Sequence, residues 1–215
     1  MSNTTNTTNA TNTTNATNET NTGEMTYKEE FIKYFKENVK REGADLVLAY
    51  LEATDFFTAP ASTRFHLAEE AGLVQHSLNV YKNLKNEAYM YQKKSGKKYS
   101  EDTIATVALL HDICKVNFYK ADKKNVKNAE GKWEEVPYYT VEDTYPIGHG
   151  EKSVIMLMQL IHLSTEEIMA IRWHMGGFDE AVKGGSYSMS KAAEKYPLVT
   201  LLQVSDLKAT YLDEA

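Results

Sequence analysis

Apolar residues recur at helical spacing along most of the chain. Phe31, Phe35 and Val39 stand four apart behind Thr26 and Glu29, a Ser/Thr-x-x-Glu capping box, and predict a first helix. Leu46, Val47, Tyr50 and Leu51 predict a second over about 44–53, followed by the Pro-marked loop DFFTAPASTRFH. A long helix is expected over 73–93. Another should run from Glu101 to about Lys115, capped by Ser100 and carrying acids in its first turn, where the helix dipole favours them. Helices are expected again over 148–163 and 165–174, the second opened by a capping box of Ser164 and Glu167. A Gly-rich loop and a short helix follow, and Pro197 at a first helical position opens the last helix, 198–212.

Residues 117–146 depart from this period. Lys124–Lys127 and Trp133–Val141 are rich in β-branched and aromatic residues, and Asn128-Ala129-Glu130-Gly131 between them has turn composition. The expectation is an all-α bundle with a β-hairpin inserted at about 117–146.

Residues 1–24 form an Asn/Thr tract of period three with no large apolar residue after Met1, so the tract has nothing to bury and is expected to be a disordered tail. Its Asn-x-Thr triplets are glycosylation acceptors in secreted proteins, but without a signal peptide they are read as a by-product of the repeat. Residues 25–215 then make one domain. With 42% hydrophobic and 25% charged residues the balance is that of a globular protein. A net charge of −6 argues against a duplex-DNA binder while leaving room for a small nucleotide or a short single strand. The single cysteine, Cys114, excludes an internal disulfide and is read as a buried small hydrophobe. No apolar run approaches the roughly 18 residues of a membrane span, and the expected setting is cytoplasmic. No feature specifies an oligomeric state.

The chemistry lies in histidines and acids set into apolar helices. His111 and Asp112 follow Val107-Ala108-Leu109-Leu110, where polar groups cost several kcal/mol unless paired or metal-bound. Each further candidate admits a structural role: His76, between Val74 and Leu78, as a core residue; His149 as a helix cap; His174 as a helix-end charge; Asp206, inside LLQVSDLKAT, as a buried cap or ion pair. Together they form the order H…HD…H…H…D. His162 is read as packing.

That string, carried by GLVQHSLNV, LLHDICK, IGHGEKS, RWHM and SDLKAT, resembles the HD superfamily. It is most similar to the six-ligand version found in HD-GYP phosphodiesterases and in the HD domain of certain bacterial 3′–5′ exoribonucleases, over about residues 60–212. The resemblance implies that His76, His111, Asp112 and Asp206 ligate one metal and that Asp112, His149 and His174 hold a second, with Asp112 bridging. Such a donor set suits Mn, Fe, Co, Ni or Zn, with Mg possible, and two such ions activate water for attack at phosphorus. In the resembling enzymes the lysine of HDxxK, here Lys115, contacts substrate phosphate; the alternative is a surface lysine at a helix end. Lys152, three residues after His149, is a further candidate for substrate binding. Arg64 and His66 stand at the lip of the first ligand helix, where they could bind phosphate and protonate a leaving oxygen, or simply belong to a surface loop. Arg172 faces elsewhere and is read as structural.

There is no GYP tripeptide near the third histidine, so cyclic-di-GMP specificity does not transfer, and no OB-type strand-rich module precedes the HD region, so an exoribonuclease role loses its usual RNA-holding part. Trp133, Tyr138, Tyr139 and Tyr145 in the hairpin offer either base-stacking faces or cross-strand packing. The expected activity is metal-dependent hydrolysis of a nucleotide or nucleic-acid end, with Asp112, Lys115 and His66 in catalysis. The alternatives are a di-iron oxygenase on the same fold and a non-catalytic nucleotide-binding regulatory module.

Overall fold

The computed structural model describes residues 25–215, so the expectation for the Asn/Thr tract lies outside the described residues. The fold is all-α with a two-stranded insertion. Its helices are α1 (Tyr27–Asn38), α2 (Ala44–Ala53), α3 (Gly72–Ser95), α4 (Glu101–Leu110), α5 (His149–Met158), α6 (Thr165–Trp173), α7 (Glu180–Lys183), α8 (Ser188–Lys195) and α9 (Pro197–Lys208). A wider helical turn over Ala209–Asp213 follows α9. Local signals set several boundaries: the Thr26 hydroxyl accepts from the Glu29 amide while the Glu29 carboxylate accepts from Thr26, and Ser164 with Glu167 repeats the device on α6.

The long helix α3 is the spine, packed against α1, α4 and α9, and α6 packs on both α5 and α9. Phe31 and Phe35 are buried, and Phe31 meets Phe56 and Phe57 edge-on at centroid distances of 5.1 and 5.5 Å. Arg41, between α1 and α2, ties the starts of α4 and α6 together through Asp102 (2.5 Å) and Glu167 (2.7 Å) and donates to the His162 carbonyl (3.0 Å).

The inserted hairpin consists of β1 (Tyr119–Lys127) and β2 (Trp133–Val141), antiparallel from Tyr119↔Val141 to Lys127↔Trp133. Its aromatics are held by neighbours across the ribbon: Lys127 lies 5.3 Å from the Trp133 ring centroid, Lys124 lies 5.2 Å from that of Tyr138, and the Tyr138 hydroxyl donates to Asp122. Trp133 and Tyr138 thus make cross-strand contacts, while Trp133 and Tyr145 keep exposed faces.

Three expectations need correction. The helix thought to reach Lys115 ends at Leu110, and Ile113–Lys115 form a tighter single turn. The break lets the His111 and Asp112 side chains face the same space from consecutive residues, which a continuous helix would splay about 100° apart. The helix expected to reach Leu163 ends at Met158, because the chain must turn to bury Ile161 and Leu163 before Ser164 caps α6. His162, expected to pack, is exposed in that turn.

Candidate metal centre

Five segments deliver six side chains to one point. His76 projects from the first turns of α3; His111 caps the end of α4 and Asp112 follows it; His149 is the first residue of α5; His174 follows α6; Asp206 sits in the last turn of α9. The loop 54–71 folds back onto the start of α3. Ala61 donates to the Leu67 carbonyl, Leu73 donates to that of Ala59, and a Cβ at Gly72 would stand 2.2 Å from the Leu67 oxygen. This loop brings His66 against His76, with ring centroids 4.9 Å apart.

Asp112 is the hub, buried with its two oxygens facing different histidines. Oδ1 lies 2.8 Å from His149 Nε2 and 3.3 Å from His174 Nε2; Oδ2 lies 3.5 Å from His111 Nε2 and 3.7 Å from His76 Nε2. Lys115 Nζ reaches Oδ2 at 2.6 Å, so the lysine enters the cluster although the helix breaks before it. Burial opposes ionisation of Asp112, but Lys115 and the surrounding imidazoles hold its carboxyl well below the usual range. Asp206 Oδ1 lies 3.2 Å from His76 Nε2.

Two observations test whether these residues suit a cation. His111 and His174 each direct Nδ1 at a backbone carbonyl, Ala108 at 2.8 Å and Ile171 at 2.7 Å, which assigns the proton to Nδ1 and leaves a lone pair on Nε2. Both Nε2 atoms are buried and have no hydrogen-bond partner, an expensive state unless an electron-pair acceptor takes them. Burial also pushes the His111 imidazole down to about 4, keeping it in the neutral, ligating form. The second observation is charge. Burial opposes protonation of His76 and His149, yet the groups around them raise them to about 9 and about 10, Asp206 and Glu214 at the first, Cys114 and Asp112 at the second. The cluster calls for positive charge. The donor atoms of His76, His111 and Asp206, and those of His111, Asp112 and His174, each lie within 4.8 Å of one another. The residues fit a metal.

Glu214 is absent from the sequence reading. Its fully buried carboxylate meets His76 Nδ1 at 3.1 Å and accepts from Asn79 at 2.9 Å, the outer partner that fixes the orientation of a ligating imidazole. Glu214→Gln is expected to weaken metal binding about 10- to 100-fold with little change in fold, checked by competition with a chelator and by melting temperature.

The other candidates divide. Lys152 is buried, donates to Asp143 at 2.7 Å and lies over the Phe118 ring. It lines a cavity of ≈ 480 Å³ that reaches the cluster at His149 and Cys114 and includes Met175 and Phe178. Arg64 is exposed over Phe65 and is not drawn into the cluster. His66 Nε2 approaches Glu214 at 4.0 Å, and burial together with the charges of His76 and Lys115 pushes its imidazole down to about 4. Arg172 pairs with Glu151 and Asp179, a structural role linking α5 to the segment after α6.

The α5–α6 contact decides how far His149 stands from His174. A Cβ at Gly150 would meet the Arg172 backbone oxygen at 2.1 Å, so only glycine lets α5 approach this closely. Gly150→Ala is expected to cost about 1–3 kcal/mol and to lower metal retention, because it forces apart the helices carrying these two histidines. Denaturant unfolding with metal analysis on the same sample checks both effects.

A family model for the HD domain matches residues 73–210, which span all six clustered side chains. No curated protein and no solved structure matches the chain. Among the described residues no helix is long and apolar enough to cross a membrane. The family match and the buried His/Asp cluster within it coincide, and the chain belongs to the HD domain family.

Proposed function

We propose that this chain is a metal-dependent phosphohydrolase acting on a nucleotide, either a small one or the end of a short single strand, through water activated at a two-ion centre. HD-domain proteins are mostly metal-dependent hydrolases. The observation that carries the two-ion reading is the division of Asp112: one oxygen faces His149 and His174, the other His76 and His111. His76, His111, Asp112 and Asp206 would hold one ion, and Asp112, His149 and His174 the other. The ligand types suit Mn, Fe, Co, Ni or Zn, with Mg possible.

Bound divalent ions supply Lewis acidity, lowering the pKa of water and offsetting negative charge that builds at phosphorus. The protein supplies the rest. His111 and His174 are held by backbone carbonyls, so their lone pairs are pre-aimed and little reorganisation accompanies the reaction. Lys115, buried and ion-paired to Asp112, brings a fixed positive charge into the cluster, where a phosphoryl oxygen would meet it. Lys152 lines the cavity beside His149, where the rest of the substrate would lie. The leaving oxygen takes its proton from His66 or from water, and burial, by keeping His66 largely neutral, favours water.

Metal analysis of purified protein, together with a phosphate-release screen across nucleotides and dinucleotides, tests this reading. Phosphate release that depends on bound metal is the expected result. Iron-dependent O₂ consumption without phosphate release would replace it with the oxygenase reading, and nucleotide binding without turnover with a regulatory module.

A further inference from the structure

We propose that the cavity beside His149 takes the uncharged nucleoside of a substrate with a single phosphoryl group, so that the centre prefers nucleoside monophosphates to triphosphates, and that Phe178 stacks on the base. This deepens the phosphohydrolase reading and rests on it. The cavity, ≈ 480 Å³, falls within the roughly 300–1,000 Å³ of small-ligand sites. Its lining joins His149 to Phe118, just before the hairpin, and to Phe178, in the single turn Gly176–Phe178 after His174.

Charge decides what can lie there. Lys152 gives its ammonium to Asp143 at 2.7 Å, and Arg172 is shared between Glu151 and Asp179, so two of the cavity's cations are already neutralised. The third, Lys183, is exposed and stands three residues after Glu180 on α7, where opposite charges offset each other. The lining thus holds four carboxylates against three cations. Further phosphates would bring negative charge into a space with no spare cations to receive it, and burying charge unpaired is expensive. Positive charge is gathered instead at the cluster, where Lys115 and the bound ions suffice for one phosphoryl group. An uncharged remainder is better matched. Asp143 accepts from Lys152 and from the Tyr145 amide through Oδ1, leaving Oδ2 for a neutral donor such as a sugar hydroxyl. Lys152 lies over the Phe118 ring, whereas Phe178 is 53% exposed and keeps area for a base, whose π-face stacks without needing an opposite charge. In the reaction, the oxygen of water bonds to phosphorus and the ester P–O bond breaks. The nucleoside oxygen leaves with a proton, giving nucleoside and inorganic phosphate.

The test compares phosphate release by the full chain, as purified with its metal, from nucleoside 5′- and 3′-monophosphates, the matching 5′-triphosphates and ribose 5-phosphate. At least one monophosphate is expected to exceed both its triphosphate and ribose 5-phosphate about tenfold or more in kcat/KM. Phe178→Ala should cut the advantage over ribose 5-phosphate at least about tenfold, chiefly through KM, the scale of one lost base–aromatic stack. Because Phe178 is exposed, its truncation opens no hole in the core. Equal or faster release from a triphosphate or from ribose 5-phosphate would overturn the inference and leave the hydrolase reading standing. No release from any of these esters would remove the hydrolase reading and the substrate preference with it. Binding is read separately, by NMR titration of the chelator-treated chain with adenosine, guanosine, cytidine, uridine and ribose. At least one nucleoside should bind more tightly than ribose, and Phe178→Ala should weaken it about tenfold; nucleosides that bind no better than ribose would overturn the stacking role.

Discussion

Asp112→Asn is expected to strip metal from the cluster and to slow phosphoester hydrolysis at least about a hundredfold, some 2.7 kcal/mol in the barrier. The side chain hardly changes size, but one anionic oxygen becomes an NH₂ group. Whichever way the amide settles, one set of histidines, His149 with His174 or His76 with His111, faces a donor instead of an acceptor. Both ions would lose the negative charge they share. Lys115→Ala should behave differently: metal retained, and a milder loss of turnover, because the lysine is the ion-pair partner of the carboxylate and cannot itself be a ligand while charged. Bound metal, melting temperature and turnover measured on both variants decide the matter. A folded Asp112→Asn protein with full metal and full turnover would sink the mechanism; a destabilised one whose activity follows the folded fraction would make Asp112 a core hydrogen-bond partner.

The second large effect lies far from the metals. Arg41→Met should lower stability by about 3 kcal/mol at neutral pH, because it leaves Glu167 buried without its cation. Burial would raise the Glu167 carboxyl, but the hydrogen bonds from Arg41 and the Ser164 amide, with the Arg41 charge, together outweigh it and hold the group below 4.5. A folded-state value below the unfolded one adds stability that is fully present above about 4.5 and is lost as pH falls through the folded value. In the variant the Arg41 contribution is gone, the carboxyl rises from its folded value, and acidification relieves part of the defect. The gap between wild type and variant should therefore narrow below about pH 4.5. Denaturant unfolding at pH 7 and pH 4 reads this directly. A gap under about 1 kcal/mol, or one that ignores pH, would show the ion pairs to be worth no more than surface contacts.

Much of this was legible in short stretches of sequence. The Thr26/Glu29 and Ser164/Glu167 boxes announce helix starts because capping is a contact between residues three apart, and both form. His111 and Asp112 stood out because ionisable groups in an apolar run need a partner, and the chain-wide order of histidines and acids supplied the others. The rest depends on contacts that no local pattern encodes. Glu214 reaches His76 across 138 positions and carries no motif of its own. The break of α4 after Leu110 was hidden because Ile113, Cys114 and Val116 continue the apolar spacing. The spacing of Lys152 from His149 made it a candidate, but its partner Asp143, placed after the returning hairpin, carries no sequence signal. Cys114 has the composition of filler, and only the approach of α5 gives its sulfur a neighbour.

The separation of His76 from Glu214 also has a consequence for biosynthesis. At about 5–20 residues per second, a ribosome needs roughly 7 to 28 s to add the 138 residues between them. Through that interval the emerging chain presents His76, then His111 and Asp112, without Asp206 or the carboxylate that orients the first imidazole. An ion captured so early meets an incomplete, weakly charged set of donors and exchanges readily. The metal the finished protein carries is then set by exchange with the cellular pool after translation, and refolding denatured protein in the same ion mixture should restore the same metal content.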